Sequence, residues 1–488
     1  MLRDVARLAE REHDLIVIGA GICGAAAAWD AAQRGLSVAL VEGADFGAGV
    51  SWNSMKTIHG GFRHLQRGDV ASLRESMRER RALLRIAAAI VRPLPFLVPS
   101  HGAGSRALLA TALRVSDGLA RDRNEGLPPE QQIPASRRLS AAEVAELLPG
   151  VPRAGLSGGV VWTDAQVTAG ERLIVGFVQA AAGAGAAVVN HAETVGLLRC
   201  GSRVNGARVL DRETGATIDV RGRSVLIAAG AGLDRLLGLA GIRRPPVPLL
   251  RAINLVVSRP AATSHAVGAR GDGRFLFLVP WRGRAIVGTD YAPAEAPGEP
   301  HPAAFLGHAA QAFPWAGLRP EDVSLVHSGL VPGRGGAAGL WTRSRLLDHE
   351  AEDGVPGLFS ALAVKYTTGR ALAEQAVDRV VARLGARVAP CRTAVTPLPA
   401  ARELTGTLEE RTRHAVREEM ARTLADVALR RLDLGTGGPP AAAELEVVAH
   451  ALAAERGLSS ERLAQERGEL DAVYRTGIAA IFGGREPA

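Results

Sequence analysis

The chain has 488 residues, 47% of them hydrophobic, which is enough for two or three packed units, because single cores stop growing near roughly 250 to 300 residues. Its formal charge of +8 is spread over dispersed arginines with no nucleic-acid-binding motif, so nucleic acid is excluded as a partner, while peripheral contact with an anionic membrane surface is compatible. The start MLRDVARLAEREHDL alternates charges where a signal peptide needs an apolar run, and no stretch of about 18 apolar residues follows; a cytoplasmic protein is expected, working in the cytosol or at the inner face of the membrane.

Residues 14–18, DLIVI, read as a strand, GAGICG as a tight turn, and the alanine-rich stretch to Arg34 as a helix ended by Gly35. LSVALVE then closes a second strand on Glu42, completing a βαβ unit. A helix covers about 70–90, another 106–120, and a third opens at Ser140, with Glu143 completing a capping box. Helix 170–185 is followed by the strand AAVVNH, and SVLIAAG is an apolar run ending in glycine. From 247 to 290, INLVVS, RFLFLVPW and RAIVGTD predict an antiparallel sheet, not another βαβ repeat. Beyond 403 only helical patterns remain, interrupted by GTGGPPA at 435–441, which reads as a linker.

Gly19, Gly21 and Gly24 form GxGxxG between strand and helix. The first permits the sharp turn, the second the approach of a pyrophosphate, and the third close packing of helix on strand. The helix N-terminus then presents free N–H groups to the phosphates, and Glu42 is placed to accept the ribose hydroxyls. After Glu42 no third parallel strand follows. The polar, glycine-containing segment FGAGVSWNSMKTIHGGFRHL supplies Ser51, Ser54, Lys56 and the pair Gly60–Gly61, a stretch suited to wrapping FAD. The cysteines Cys23, Cys200 and Cys391 are far apart without metal-ligand spacing, so no metal site and no disulfide framework are expected. Lys56 and Lys365 are the only lysines among 58 basic residues. An arginine cannot replace a compact ammonium in a confined site, so both mark candidate site positions.

The segments DLIVIGAGICGAAAAWDAAQRGLSVALVE, SWNSMKTIHGGFRHL, TDAQVTAGERL, VLIAAGAGLD, FLVPWRGRAIVGTDY, AVKYTTGRALAEQAVD, PCRTAVTPLP and AVREEMARTLADVALRR resemble, in order, the FAD-dependent glycerol-3-phosphate dehydrogenase family, within the D-amino-acid-oxidase-like flavoproteins. The resemblance runs over about residues 12–480. It implies an α/β fold: a Rossmann-type FAD-binding lobe (about 10–70, 160–245 and 345–400), an antiparallel-sheet substrate lobe (about 71–159 and 246–344) and a C-terminal all-helical cap, with domains at 1–400 and 401–488. It implies adenosine contacts from Glu42, pyrophosphate contacts at Gly19 to Gly24, and flavin contacts along Ser51, Ser54, Lys56, His59, Gly60 and Gly61, with Thr367 and Thr368 closing over the ring. Arg63, Arg345 and Lys365 match cationic positions that hold the substrate, so both lysines are expected on the cofactor.

Three positions depart from the family pattern: His64 replaces a tyrosine, Asn254 a histidine, and Leu330 in SGLVPG the arginine of GvRPL, with Arg334 nearby. The expected chemistry is hydride transfer from a small polar or anionic CH–OH substrate to FAD, with glycerol 3-phosphate itself doubtful. His64 is the first candidate base, then His59 and His327. Oxidation of a CH–NH bond and a non-catalytic flavin-binding protein are the alternatives, and the electron acceptor is a quinone or oxygen.

Overall fold

The computed structural model describes residues 1–481 apart from 62, 63, 65, 66, 272, 297, 299 and 335–338, and leaves aside the side chains of 103–110 and 476–480. The strand His13–Ile18 lies between Val38–Val41 and the end of Thr217–Ile227, parallel to both. Ala187–Val189 and Leu358–Leu362 extend this parallel sheet, and Arg345–Asp348 closes it antiparallel to Leu358–Leu362. The runs are apolar throughout because both faces are covered. Leu15, Val17 and Leu40 point to the helices Ile22–Gln33, Gly170–Gly183 and Gly369–Leu384. Ile16, Ile18, Ala39 and Val41 point to the opposite core, which includes the helix Leu233–Leu239 and the ribbon Ala192–Cys200/Arg203–Asp211.

The second sheet runs Val323–Pro332, Leu249–Val257, Arg284–Pro293, Arg274–Trp281, Ala266–Gly271, Val91–His101, Leu156–Val167 and Thr57–Ile58, with Arg137–Leu139 beside Leu156–Val167. The expected lobe boundary at 160 is corrected here, since Leu156–Val167 is one unbroken strand of the second sheet, antiparallel to each strand it pairs with. The strand Val91–His101 escapes the sequence reading because it contains Pro93, Pro95 and Pro99. All three have the same parity, so their missing N–H groups point to one side, and the ladder to Leu156–Val167 on the other side survives.

After residue 401 come the helices Leu408–Glu419, Ala442–Arg456 and Ser460–Ile481, with a π-helical turn at Asp426–Arg431. They share an apolar cluster with Trp52, Val256, Trp281, Ile286 and Leu325. The segment 435–441 is not a linker. Gly435 to Gly438 are buried, Gly437 O accepts from Ser324 Oγ at 2.6 Å, and a Cβ on Gly438 would stand 2.9 Å from Ser324 Cβ. Among the described residues no helix is long and apolar enough to cross a membrane.

Buried charge ties the C-terminal helices to the parallel-sheet layer. Arg172 donates to both oxygens of Glu419 at 2.6 and 2.8 Å, with both side chains almost wholly buried. Truncating Arg172 leaves Glu419 buried with the longer contacts to His414 at 3.6 Å and Arg431 at 3.9 Å, so Arg172→Met should cost about 3 to 5 kcal/mol of unfolding free energy. Urea denaturation checks this, and a change below about 1 kcal/mol would reduce the pair to a surface-like contact.

Candidate functional site

A cavity of about 1800 Å3 runs between the two sheets, well above the roughly 300 to 1,000 Å3 of an ordinary small-molecule site. One end is the βαβ turn. Gly19 has φ +100°, and a Cβ there would lie 2.8 Å from Ala228 O; a Cβ on Gly24 would lie 1.9 Å from Gly19 O. Neither position tolerates a side chain, so the helix starts hard against the strand end, with its N-terminus open to the cavity. Ser51 Oγ accepts from Ile22 N at 3.0 Å, leaving its hydroxyl hydrogen to donate. Glu42 accepts from Ala20 N at 2.7 Å and Ala44 N at 2.9 Å, one bond to each oxygen. Each oxygen thus keeps a lone pair for a hydroxyl. Burial raises the Glu42 carboxyl, against the pull of the two N–H donors.

Gly19, Gly21, Glu42, Ser51, Ser54, His59, Gly61, His64, Lys365 and Thr367 all line this cavity. Five of the expected site residues do not. Gly24 acts beneath the turn through its missing Cβ. Gly60 turns its N–H to Asp164 Oδ1 at 2.8 Å and has no space for a Cβ beside Arg80. Thr368 is the N-cap residue of the helix Gly369–Leu384, without a side-chain cap bond. Arg345 is exposed and stacks on Trp341, its Cζ 4.4 Å from the ring centroid. Lys56 is the clearest correction: its ammonium is fully buried, donating to Trp52 O and Glu171 Oε2, both at 2.8 Å. Only Lys365 of the two lysines is on the cavity. Arg63 lies outside the described residues.

The histidines separate. His327 turns away from the cavity, toward Thr436 O at 3.2 Å, and burial followed by the Lys56 charge lowers it to about 3. His64 is buried with Nε2 in close contact with Lys365 Nζ. Burial and then the Lys365 charge lower His64 to about 4, so it is neutral near pH 7 and its acceptor nitrogen is engaged. Behind His64, Asp69 pairs with Arg343 at 2.6 Å. His59 faces the cavity with Nδ1 3.3 Å from Asp164 Oδ2 and Nε2 3.0 Å from Thr57 Oγ1. Burial pushes the Asp164 carboxyl up, but the Arg80 charge, His59 and the Gly60 N–H outweigh it and hold it at about 2.

Asp164 and Arg343 were not singled out from the sequence. Asp164 stands in TDAQV, within the quoted segments, and Arg343 in the bend just before the strand Arg345–Asp348. The register of Val323–Pro332 also moves the third departure. Gly329 faces Val50 of the wrapping loop, its Cβ position 2.3 Å from Val50 Cγ1, so strand alternation places Val331 on that face, while Leu330 also borders the cavity. Counting GvRPL against Gly329-Leu330-Val331-Pro332 gives the same residue.

The family described as FAD dependent oxidoreductase matches residues 14–379. The chain belongs to this family. It is 31% identical over 425 residues to a glycerol-3-phosphate dehydrogenase of Synechocystis sp., covering 82% of this chain and 75% of that one. It is 34% identical over 400 residues to a glycerol-3-phosphate dehydrogenase of Mycobacterium leprae, covering 79% of this chain and 66% of that relative, so it spans just under two thirds of that relative's length. The fold is that of the glycerol-3-phosphate dehydrogenase of Bacillus halodurans complexed with FAD, with TM-score 0.74, 21% identity and coverage of 98% and 97%. Within the FAD-dependent oxidoreductases the chain groups with the glycerol-3-phosphate dehydrogenases, and its cofactor is FAD.

The residues present fit that cofactor: a turn without Cβ atoms, an open helix N-terminus, a carboxylate with lone pairs to spare and a cavity larger than one small ligand needs. Glu42→Ala should weaken FAD binding by roughly 1.5 to 3 kcal/mol, the scale of charge-assisted hydrogen bonds. Titration of the apoprotein with FAD, followed by flavin fluorescence, measures this. An unchanged Kd would remove Glu42 from the ribose.

Proposed function

We propose that this chain oxidises the CH–OH group of a small, singly charged alcohol at FAD. When bound, FAD supplies the hydride acceptor. The observation that carries the reading is the cavity wall made by His59 with Asp164 behind it and by Lys365 with His64 behind it. A buried carboxylate on Nδ1 fixes the tautomer and orientation of the ring, and the other nitrogen of His59 meets the Thr57 hydroxyl, which can rotate to release it, whereas that of His64 faces an ammonium, so His59 is the better proton acceptor. His64, already engaged by Lys365, is set aside as the base and instead holds the ammonium in place. Lys365 stabilises the negative charge developing on the substrate oxygen, an effect strengthened where water is excluded. A quinone or oxygen then takes the electrons, and reoxidation with each in turn separates them.

Asp164→Asn should leave FAD bound and slow anaerobic flavin reduction about 10²- to 10⁴-fold, the range for a positioned acid or base. Stopped-flow bleaching of the flavin absorbance reads this, and unchanged rates would return the base role to another group. The sign of the pH effect follows from a depressed carboxyl. The stability that Asp164 contributes is complete above its ordinary 3.8 and lost as pH falls toward about 2. Asp164→Asn should therefore flatten the acid limb of stability in that window.

Substrate charge follows from the antiparallel strands. Val331 and Gly329 pair across the ladder with Leu250 and Ala252, so these four positions offer no charged donor, and Arg343 is paired with Asp69, while Arg67, Arg251, Arg270 and Arg334 border the cavity elsewhere. A phosphate dianion normally needs several charge-assisted donors. The relatives' names make glycerol 3-phosphate the substrate to test first. Millimolar glycerol 3-phosphate should bleach the flavin slowly next to a 2-hydroxy carboxylate, and Val331→Arg should improve it by about 10-fold or more, the worth of one charged contact. Rapid, saturable bleaching of the wild type by glycerol 3-phosphate would overturn the singly charged substrate. Bleaching by amines alone would favour CH–NH oxidation.

A further inference from the structure

Three residues after Glu42, the loop carries a second acid, Asp45, with no exposure at all. Two arginines of the C-terminal π-helical turn hold it. Arg430 Nε donates to Asp45 Oδ2 at 2.7 Å, and Arg431 donates to both oxygens at 2.8 Å. Asn190 Nδ2 donates to Asp45 Oδ1 at 2.8 Å and to Met420 O at 2.9 Å. Arg430 also reaches Asp426 at 2.5 Å, and His191 Nε2 stands 2.8 Å from the other Asp426 oxygen. Asp45, His191 and Asp426 are close enough together to ligate a metal, but the two guanidiniums already supply the positive charge. The cluster is an ionic lock.

The other end of the loop is held by the same C-terminal segment. Lys56, at φ +57°, reaches Glu171. Beside Glu171 lies Asp433, whose carboxyl is raised by burial and then by the Glu171 charge. Asp433 Oδ2 also pairs with Arg282 at 2.5 Å, so this end of the loop belongs to a buried charge cluster of Lys56, Glu171, Asp433 and Arg282. In the middle, Trp52 sits in the apolar cluster of Leu424, Val427 and Leu429. Every residue from Ala48 to Met55 lines the cofactor cavity. The chain that wraps the cofactor is therefore pinned at both ends by residues 430–433.

We propose that the C-terminal helices are a clasp on the cofactor: Arg430, Arg431 and Asp433 hold both ends of the loop 45–56, and FAD is retained only while these helices are docked. Asp45 is then a positioning residue that acts through the loop, not by touching the cofactor. The proposal rests on the assignment of this cavity to FAD. Docking and FAD binding are linked equilibria, so weakening one must weaken the other.

The test uses full-length holoprotein. Asp45→Asn removes the anionic anchor, while Arg417→Ala breaks an exposed pair between two of the C-terminal helices themselves, to Glu455 at 2.7 Å, away from the loop and from the docked surface. Flavin fluorescence on dilution gives the FAD dissociation rate, and thermal unfolding with and without FAD gives the stabilisation by the cofactor. Asp45→Asn should release FAD about 10-fold faster and shrink the gap between holo and apo midpoints, and Arg417→Ala should change neither. Equal lowering of both midpoints with an unchanged dissociation rate would make the lock merely structural and overturn the clasp. Should Asp45→Asn fail to fold, Arg430→Lys keeps the charge but spans fewer partners, and about 3-fold faster release is then expected, with unchanged release overturning the clasp. A wild type that purifies without flavin and does not take it up removes the underlying cofactor assignment, and the clasp with it.

Discussion

The helix Ile22–Gln33 has to start so close to the strand His13–Ile18 that a Cβ on Gly24 would collide with Gly19 O at 1.9 Å. That contact sets the position of the helix N-terminus, and much else follows from it. Gly19 must turn at positive φ against Ala228, which brings in the end of Thr217–Ile227 as the next parallel strand. Ser51 can reach Ile22 N only because the first turn is held there, and Ile22 in turn packs where Gly369 lacks a Cβ, 2.9 Å away. The loop from Asp45 to Lys56 and the helix carrying Thr368 are thus both registered on one backbone contact.

Charge plays a different part here from the one its surface distribution suggests. Arginine dominates the basic residues, and many of the arginines that matter are buried: Arg172 on Glu419, Arg370 on Glu79, and Arg430 and Arg431 on Asp45. Such pairs add little net stability over well-packed apolar groups, but removing one partner is costly, so they fix which surfaces may meet. Lys56 shows why an ammonium was kept. It fits between Trp52 O and Glu171 with its Nζ 5.4 Å from the Trp281 ring centroid, fully enclosed, and a planar five-donor fork would leave donors unsatisfied there. The scarcity of lysine marked confined sites correctly. It did not tell a structural site from a cavity wall.

What was readable in the sequence divides along physical lines. The βαβ unit, Glu42 and the capping box at Ser140 were readable because each depends on neighbours within a few residues. The strand Val91–His101 was hidden, since proline parity matters only once a partner strand is known. GTGGPPA looked like a linker because its glycines make room for close contact with Ser324 and Arg284, contacts more than a hundred residues away in the chain. Asp164 was invisible as an orienting group for His59 for the same reason: the two lie 105 positions apart.

The two halves of the cavity also differ in how they respond to sequence change. At the cofactor end, function lies in backbone clearances, and almost any side chain added at Gly19 or Gly24 meets backbone atoms. At the substrate end, function lies in which face of an antiparallel strand a residue occupies, and a one-residue offset exchanges every inward side chain for an outward one. Leu330 and Val331 are adjacent in sequence, yet alternation puts only Val331 on the face of Gly329, across from Leu250. Substitutions on that strand can change the charge offered to a substrate without disturbing the turn that holds FAD. In this chain His64, Asn254 and Val331 border the cavity on elements other than the glycine turn, while the turn and Glu42 keep the nucleotide-binding pattern.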